Sequence, residues 1–372
     1  MRTYRSSCTP ENKQVPATFP DSESVSPEWL TRCLNDSGIP CQVESFTAKR
    51  VGTGQIGKCV RYVLSYGSGP TGPSTLVAKF PSDDPTSRAT GVALRNFIKE
   101  VRFYQNLQKD LFIRTPQIYF ADIVDEGPDF VVLMEDLAPA EQGDQLQGTT
   151  PEIAAAAVNE LVGLHAPFWC DEKIYELEWL GAQRVDDSAP TIQQLYQAQL
   201  PGFVDRYGSS LNADEVRIIE QVGAADAGPL FAPMPDTFSL IHIDYRLDNI
   251  MILPRDGGYE ITTVDWQSVS VGPPLNDVAY FMGAGLLPAV RRDVEQEIVR
   301  GYHQRLLDSG VIGFDWDACW HAYRQGSFAG FGVTVIASMI VERTERGDQM
   351  FTAMAERHAR HALDLGADEF LL

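Results

Sequence analysis

The chain has 372 residues, of which 44% are hydrophobic, so it can form a full-sized core, and a largely disordered protein is excluded. Acidic residues outnumber basic ones by 51 to 30, and the formal net charge of −21 argues against binding to nucleic acid or to an anionic membrane. Six scattered cysteines without a Cys-x-x-Cys pair argue against a zinc site and a disulfide framework. No long apolar run or secretory leader pattern appears, so we expect a soluble, cytoplasmic protein.

The first segments predict an arm, a helix and a hairpin. Residues 1–20 are polar and aperiodic, which indicates a flexible N-terminal arm. Ser26 followed by Pro27 is typical of a helix start, with a capping hydroxyl and a proline at the first helical position. Two strand patterns then flank a loop with three glycines, which are Gly52, Gly54 and Gly57.

This glycine loop allows two interpretations. Residues 52–58 satisfy Gly-x-x-x-x-Gly-Lys of the P-loop NTPases, but that motif continues with a Ser or Thr that binds Mg²⁺ and opens a helix. Here Cys59 follows, and the next residues alternate as a strand does. A hairpin that carries Gly-x-Gly-x-x-Gly is instead typical of the glycine-rich loop of kinases, whose amides cover the ATP phosphates. We favour the second interpretation, although a plain hairpin turn would also explain three glycines.

A lysine and a glutamate are predicted to form a buried ion pair. Lys79 lies near the end of the apolar strand pattern Thr75–Phe80. In the helix predicted from about 91 to 109, Glu100 falls inside the apolar stripe. A carboxylate on a buried face needs a cation, and Lys79 would supply it. The alternative is that the Glu100 side chain extends to the edge of the buried face and stays solvated.

The rest of the chain predicts two more strands and then a mainly helical region. Strand patterns at 117–124 and 130–134 precede Glu135 and Leu137, and helices follow from Pro151 onward, interrupted by one hairpin. The predicted helices begin and end near 191–207, 213–225, 289–307, 316–340 and 343–365. His165 lies in an apolar stripe, so we interpret it as a core residue rather than a catalytic one.

Polar residues mark the ends of short apolar runs between 239 and 267. Asp244 is followed five residues later by Asn249, and Asp265 ends the next run. His242 precedes the first acid by two residues, and Arg246 follows it by two. An acid to accept a proton, with an amide and a second acid as oxygen ligands, can serve phosphoryl transfer from ATP. An ordinary hairpin with solvated acids is the alternative.

His242, Asp244 and Asn249 fit the kinase pattern His-x-Asp-x-x-x-x-Asn, and Asp265 in Val-Asp-Trp-Gln stands where Asp-Phe-Gly begins. The chain therefore resembles the protein-kinase-like superfamily, and more closely its small-molecule branch, the aminoglycoside phosphotransferase and ecdysteroid-kinase-like families. The resemblance implies an α+β, two-lobed fold. Residues 21–137 would form a nucleotide-binding lobe of antiparallel sheet plus helix, and 138–372 a larger, mainly helical lobe with the catalytic loop and the acceptor-binding helices.

The resemblance also implies ATP and Mg²⁺ as cofactors and gives each site residue a role. The catalytic set is His242, Asp244 and Arg246, with Asp244 as the base that orients and deprotonates the acceptor hydroxyl. Arg246 would face the γ-phosphate or pair with a structural acid. The metal set is Asn249 and Asp265. The nucleotide set comprises Gly52, Gly54, Gly57, Lys79, Glu100, Glu135 and Leu137, the last two through their backbone. Asp277 would brace the catalytic loop or serve as a helix cap.

Two departures from the protein-kinase pattern indicate a small-molecule acceptor. Ile243 replaces the arginine that receives a phosphorylated activation segment, and no Ala-Pro-Glu segment lies between Asp265 and Asp277. A peptide substrate is therefore not expected. Trp266 and Gln267 replace the phenylalanine and glycine of Asp-Phe-Gly, which casts doubt on the usual in-and-out switching. A catalytically inactive binding module is the alternative from another class.

The acceptor itself is less well defined. Relatives use sterol-like alcohols, aminoglycosides, amino sugars, choline-like alcohols and hydroxyacyl thioesters. The negative charge favours a cationic aminoglycoside, but acids and arginines alternate between 342 and 348, whereas a polycation needs unpaired carboxylates. We therefore predict a hydroxylated, largely apolar acceptor. Four aromatic residues are candidates to line its pocket, with a core role preferred for each: Trp316, Trp320, Tyr323 and Phe328.

Overall fold

The computed structural model describes residues 20–52, 56–181, 189–225 and 237–371. The predicted arm, apart from residue 20, and Gly54 of the glycine loop lie outside these ranges. As predicted, the fold is α+β, with an antiparallel sheet in the first part and a mainly helical second part. Within the described ranges, the helices are all too short or too polar to cross a bilayer.

A five-stranded antiparallel sheet with the order β1-β2-β3-β5-β4 dominates the first part. One face of this sheet packs on α1 and the other on α3, so β5 is buried on both faces, with alternate side chains in two different cores. The elements are α1 Pro27–Asp36, β1 Val43–Val51, β2 Gly57–Tyr66, β3 Thr75–Pro81, α2 Pro85–Ala93, α3 Asn96–Arg102, β4 Ile118–Ile123 and β5 Phe130–Glu135.

The single helix predicted at 91–109 is wrong, because the chain breaks there. Helix α2 ends at Ala93, Arg95 adopts a left-handed φ of 59°, and α3 begins at Asn96. Gly91 lies directly beneath the ring of Phe97, where a β-carbon would come within 2.3 Å of the ring. After α3 the helix widens into a π turn at Phe103–Leu107. The break lets the second helix pack on the sheet independently of the first.

The second part begins with a short strand and a capped helix, and then holds a hairpin between helices. Its elements are β6 Glu141–Gln142, α4 Pro151–His165, α5 Ala189–Tyr207, α6 Ala213–Ala224, β7 Ser239–Ile241, β8 Ile250–Arg255, β9 Gly258–Thr263, β10 Ser270–Gly272, α7 Leu275–Gly285, α8 Pro288–Asp308, α9 Trp316–Gly326, α10 Ala329–Gly332, α11 Ser338–Ile340 and α12 Glu345–Asp364. The predicted cap of α4 is confirmed, since the Thr150 hydroxyl accepts a bond from the Ile153 amide.

The continuous helix predicted at 316–340 is also wrong. It is divided into α9, α10, a π turn and α11. Gly326 ends α9 where a β-carbon would lie 2.8 Å from the Leu275 carbonyl oxygen, so the chain passes very close to α7. Tyr323 and Phe328 are fully buried, which confirms the core interpretation for these two residues. Trp316 and Trp320 are partly buried and pack against the main core.

Candidate active site

Lys79 is the centre of a buried ion-pair triad. Its Nζ atom donates to Glu100 Oε1 at 2.8 Å and to Asp265 Oδ1 at 2.9 Å. Strand β3 places the lysine, α3 places Glu100, and the turn after β9 places Asp265. Lys79 and Glu100 are only 8% and 1% exposed. The predicted pair of Lys79 and Glu100 is therefore present, and it extends to a residue 186 positions away in the chain.

The charges in the triad are unequal, because one cation faces two carboxylates. Burial lowers the pKa of Lys79, but Asp265 and Glu100 outweigh this effect and hold it above its usual value. Burial raises the pKa of Glu100 to about 7 against the pull of Lys79. For Asp265, burial also opposes ionisation, yet the charge and hydrogen bond of Lys79 give a net lowering of the pKa. Lys79 therefore stays charged, and Asp265 is the ionised and partly exposed acid.

The carboxylate of Asp244 is held by three donors. Its Oδ1 atom accepts from the Tyr280 hydroxyl at 2.8 Å and from Arg246 Nε at 3.0 Å, and its Oδ2 atom accepts from Asn249 Nδ2 at 2.8 Å. Asn249 closes a 3-10 turn just before β8 and also bonds the Asp244 carbonyl. The side chain of Asp244 is about a quarter exposed. It is thus oriented and still reachable from solvent.

Asp277 holds the backbone of the loop that carries Asp244, as one of the two sequence interpretations predicts. Its carboxylate accepts from the amides of His242 at 2.6 Å and Ile243 at 2.9 Å. It lies inside the first turn of α7, whose cap position is Pro274, so the helix-cap alternative is wrong. Ile243 adopts a left-handed φ of 70°, which is unfavourable for a β-branched residue. The two hydrogen bonds therefore hold a strained peptide in place.

Two buried histidines support this region through hydrogen bonds. The His165 ring lies between the Tyr302 hydroxyl at 2.7 Å and Asp277 at 3.3 Å, which confirms its interpretation as a core residue. The His242 ring is fully buried and contacts the Val264 carbonyl at 3.1 Å, directly before Asp265. His242 therefore connects the two predicted site segments, and its place in the catalytic set stays a prediction.

Arg246 pairs with acids in this structure. Besides Asp244, it donates from Nη1 to Asp248 at 2.6 Å and contacts the sulfur of Met350 at 3.3 Å. Of the two roles considered from the sequence, the pairing with an acid is the one observed. A contact with the γ-phosphate stays a prediction.

The described ends of the glycine loop lie between β1 and β2, and the segment predicted as the hinge follows β5. Gly52 follows β1 with a φ of 75°, and Gly57 begins β2 so close to Lys79 that a β-carbon would lie 2.9 Å from its Cε atom. In the hinge, the Glu135 amide donates to the Gln117 carbonyl, and the Leu137 carbonyl accepts from Ala140. Adenine recognition would thus use the Glu135 carbonyl and the Leu137 amide, which stays a prediction.

Asn249 and Asp265 fit a magnesium ion. Asn249 directs its Nδ2 atom to Asp244, so its oxygen is the group that can bind a cation. Asp265 has a left-handed φ of 66°, and its side chain is 28% exposed. One carboxylate and one amide oxygen suit Mg²⁺, which keeps several waters and takes phosphate oxygens as further ligands.

Sequence reasoning missed two contacts at this site. Tyr280 lies three residues after Asp277, on the same face of α7, and this spacing could have identified it as a neighbour of the loop. Phe103 stacks on Trp266, and no sequence spacing predicts this contact.

A polar cavity of about 740 Å³ between α4, α8 and the β8–β9 turn contains none of the predicted site residues.

Comparison with known proteins identifies the family. Residues 45–319, about three quarters of the chain, match the family model described as "Phosphotransferase enzyme family". The chain belongs to this phosphotransferase family. The matched range includes Lys79, Asp244 and Asp265, which are the residues around which the site is built.

Among curated proteins, the chain is similar to the mouse protein "Acyl-CoA dehydrogenase family member 10", with 27% identity over 144 residues. The match spans 36% of this chain and only 13% of the mouse protein.

Solved structures of similar fold come from small-molecule kinases. A candidate aminoglycoside phosphotransferase from Ralstonia eutropha JMP134 has 18% identity and a TM-score of 0.50, over 91% of this chain and 98% of that chain. The ethanolamine kinase of Plasmodium vivax has 12% identity and a TM-score of 0.51, over 93% and 91%. The GDP complex of aminoglycoside 2'-phosphotransferase-IIIa has 12% identity and a TM-score of 0.51, over 90% and 99%. These likenesses show a shared protein-kinase-like fold.

Proposed function

We propose that the protein transfers the γ-phosphoryl group of ATP, with Mg²⁺, to a hydroxyl of a small and largely apolar acceptor. The observation that carries this proposal is the bond from Lys79 to Asp265, which joins the sheet of the first part to the catalytic hairpin of the second. One buried lysine is paired with two carboxylates, so the triad has an excess of negative charge when both acids are ionised. A bound divalent metal ion would balance the excess negative charge at Asp265, and Lys79 would then be available to the anionic nucleotide phosphates.

In the proposed reaction, Asp244 orients the acceptor hydroxyl and accepts its proton as the oxygen attacks the γ-phosphorus. The bond from that phosphorus to the β-γ bridging oxygen breaks, and ADP leaves. Lys79 binds the α- and β-phosphates in the orientation set by Glu100. When bound, Mg²⁺ would neutralise charge on the phosphate oxygens, with Asn249 and Asp265 as its protein ligands. Positioning and electrostatics supply most of the catalysis in phosphoryl transfer.

The charges near the catalytic loop support an acceptor that is not a polycation. Asp248 pairs with Arg246 at 2.6 Å and lies 3.6 Å from Arg346. Arg346 also lies 3.6 Å from Asp144. These carboxylates are thus already partnered by arginines. An aminoglycoside would have to displace those arginines to bind its ammonium groups, whereas an apolar alcohol would not.

The same pairing extends along α12. Asp348 accepts from Arg343 at 2.7 Å and from the Tyr207 hydroxyl at 2.8 Å.

Next to the catalytic Asp244, Ile243 is 37% exposed, so an apolar surface adjoins the proposed base. An amino-sugar or aminoglycoside acceptor remains the second candidate, because the net charge of −21 attracts cations.

A screen tests the proposal. Purified protein is given ATP and Mg²⁺ with hydroxylated metabolites that range from sterol-like alcohols and hydroxyacyl compounds to aminoglycosides, and ADP release is confirmed by mass spectrometry of the phosphorylated product. The Asp244→Ala variant is the control. We expect products from apolar alcohols. An aminoglycoside used at a kcat/KM of roughly 10⁴ M⁻¹s⁻¹ or more, without activity on apolar alcohols, would overturn the acceptor class. Nucleotide binding without turnover on any acceptor would instead indicate an inactive binding module.

A further inference from the structure

One helix holds both the backbone and the side chain of the catalytic loop. In α7, Asp277 and Tyr280 are three residues apart and therefore lie on the same face. Asp277 binds two loop amides, as described above, while the Tyr280 hydroxyl donates to Asp244 Oδ1 at 2.8 Å. Burial, followed by the charge of Asp244, raises the pKa of Tyr280 well above its usual value, so the hydroxyl stays protonated as a donor.

The ring of Tyr280 is itself fixed by a buried histidine. Tyr280 is 1% exposed and stacks on His358 of α12, with centroids 5.2 Å apart and planes 19° from parallel. His358 fits tightly between two glycines. A β-carbon on Gly330 would come within 2.2 Å of its ring, and one on Gly283 within 2.8 Å. In the described ranges, neither ring nitrogen of His358 has a hydrogen-bond partner, so its contacts here are packing contacts.

Helix α12 thus reaches the catalytic carboxylate by two routes. Through His358 and Tyr280 it fixes the donor to Asp244 Oδ1. Through Met350 it contacts Arg246, which donates to the same oxygen. The other carboxylate oxygen of Asp244, Oδ2, accepts from Asn249. The acceptor hydroxyl must therefore approach a lone pair of Asp244 that these three donors do not use.

We propose that Tyr280 is a positioning residue that fixes the rotamer of the Asp244 carboxylate for proton transfer, with His358 as the platform for its ring. The proposal rests on the proposed function, because it assigns Asp244 as the base. A hydroxyl that donates to an ionised carboxylate restrains that group strongly, and even a small misorientation of a reacting group is costly.

The test is a double-mutant cycle between Tyr280→Phe and Asp244→Ala. Activity is measured as ADP release from MgATP with water as acceptor, and again with any acceptor found in the screen. In the wild-type background we expect Tyr280→Phe to lower kcat by about 10- to 100-fold and to leave the KM for ATP within about two-fold. In the Asp244→Ala background, Tyr280→Phe should change the residual rate by less than about two-fold, because the carboxylate that Tyr280 orients is absent.

Tyr196→Phe is the matched control. Tyr196 is also fully buried, and its hydroxyl donates to the Ile219 carbonyl at 3.1 Å, away from the loop. This control should keep wild-type kinetics. An equal factor in both Asp244 backgrounds, an unchanged kcat, or failure of Tyr280→Phe to fold would overturn the positioning role. If wild-type turnover is absent, or insensitive to Asp244→Ala, the proposed function fails instead.

Discussion

Phe103 lies flat against Trp266, with ring centroids 3.8 Å apart and planes 7° from parallel. Phe103 begins the π turn that follows the helix of Glu100, and Trp266 follows Asp265 directly. A second contact, from Asn96 Nδ2 to the Gln267 carbonyl at 2.9 Å, joins the same two segments. The segment after Asp265 is therefore packed onto the helix that carries Glu100.

This stacking predicts a difference between two substitutions of Trp266. Trp266→Ala removes a fully buried ring and should cost about 3–5 kcal/mol of unfolding free energy. Trp266→Phe keeps a partner for Phe103 and should cost less than about 2 kcal/mol. It also removes a buried Nε1–H that has no hydrogen-bond partner among the described residues. Urea denaturation measures both. Equal costs would show that the stacking does not stabilise this contact.

The two lysines near the glycine loop should differ in function. Lys79→Met removes the cation of the triad and should lower turnover by about 10²-fold or more, since it deletes an interaction with the transferring nucleotide. Lys58→Met is the matched control, because Lys58 pairs with the exposed Asp83 at 2.5 Å. Steady-state kinetics with ATP compares them. A P-loop NTPase would give the reverse result, with the larger loss at Lys58.

The strained peptide of Ile243 predicts a non-additive pair. Asp277→Ala leaves two loop amides without their carboxylate and should cost about 3 kcal/mol or more. Ile243→Gly should raise that cost by about 1 kcal/mol, because loss of the bonds lets a strained isoleucine relax, whereas glycine adopts a positive φ without strain and has none to release. Chemical denaturation of the two single variants and the double variant measures the coupling. An identical cost of Asp277→Ala in both backgrounds would show that these bonds do not hold the strained residue.

Acid stability should depend on His358. Burial, together with the nearby charges of His361 and Arg357, lowers the pKa of His358 from 6.5 to about 3. The unfolded chain binds a proton at this histidine near pH 6.5, whereas the folded chain binds it only near pH 3. The stabilisation of the folded state by neutral His358 is therefore complete above pH 6.5 and is lost as the pH falls toward 3. The full loss amounts to about 5 kcal/mol. The free energy of unfolding is measured between these values.

Two variants isolate this effect. His358→Phe should flatten the acid side of the stability profile, whereas Phe331→Leu, a packing change beside the same ring, should lower stability at every pH without changing the slope. An unchanged slope in His358→Phe would show that His358 does not take up the proton.

Much of the site could be predicted because its residues are tied to short spacings. Asp244 and Asn249 lie on one loop, and a glutamate in an apolar helix stripe requires a cation such as Lys79. The break at Arg95 could not be predicted, because it depends on how Gly91 packs under Phe97. The stacking of Tyr280 on His358 likewise joins segments far apart in the chain, and sequence periodicity does not predict such packing.

The central claim, that Asp244 is the base of an ATP-dependent phosphotransferase, is tested most directly by comparing wild type with Asp244→Ala in two assays on the same samples. Turnover is followed by ADP release from MgATP with the acceptor, and nucleotide affinity by calorimetry. The account predicts a loss of turnover of about 10²- to 10⁴-fold while the Kd for MgATP stays within about two-fold. Unchanged turnover, or a loss of nucleotide affinity as large as the loss of rate, would contradict it.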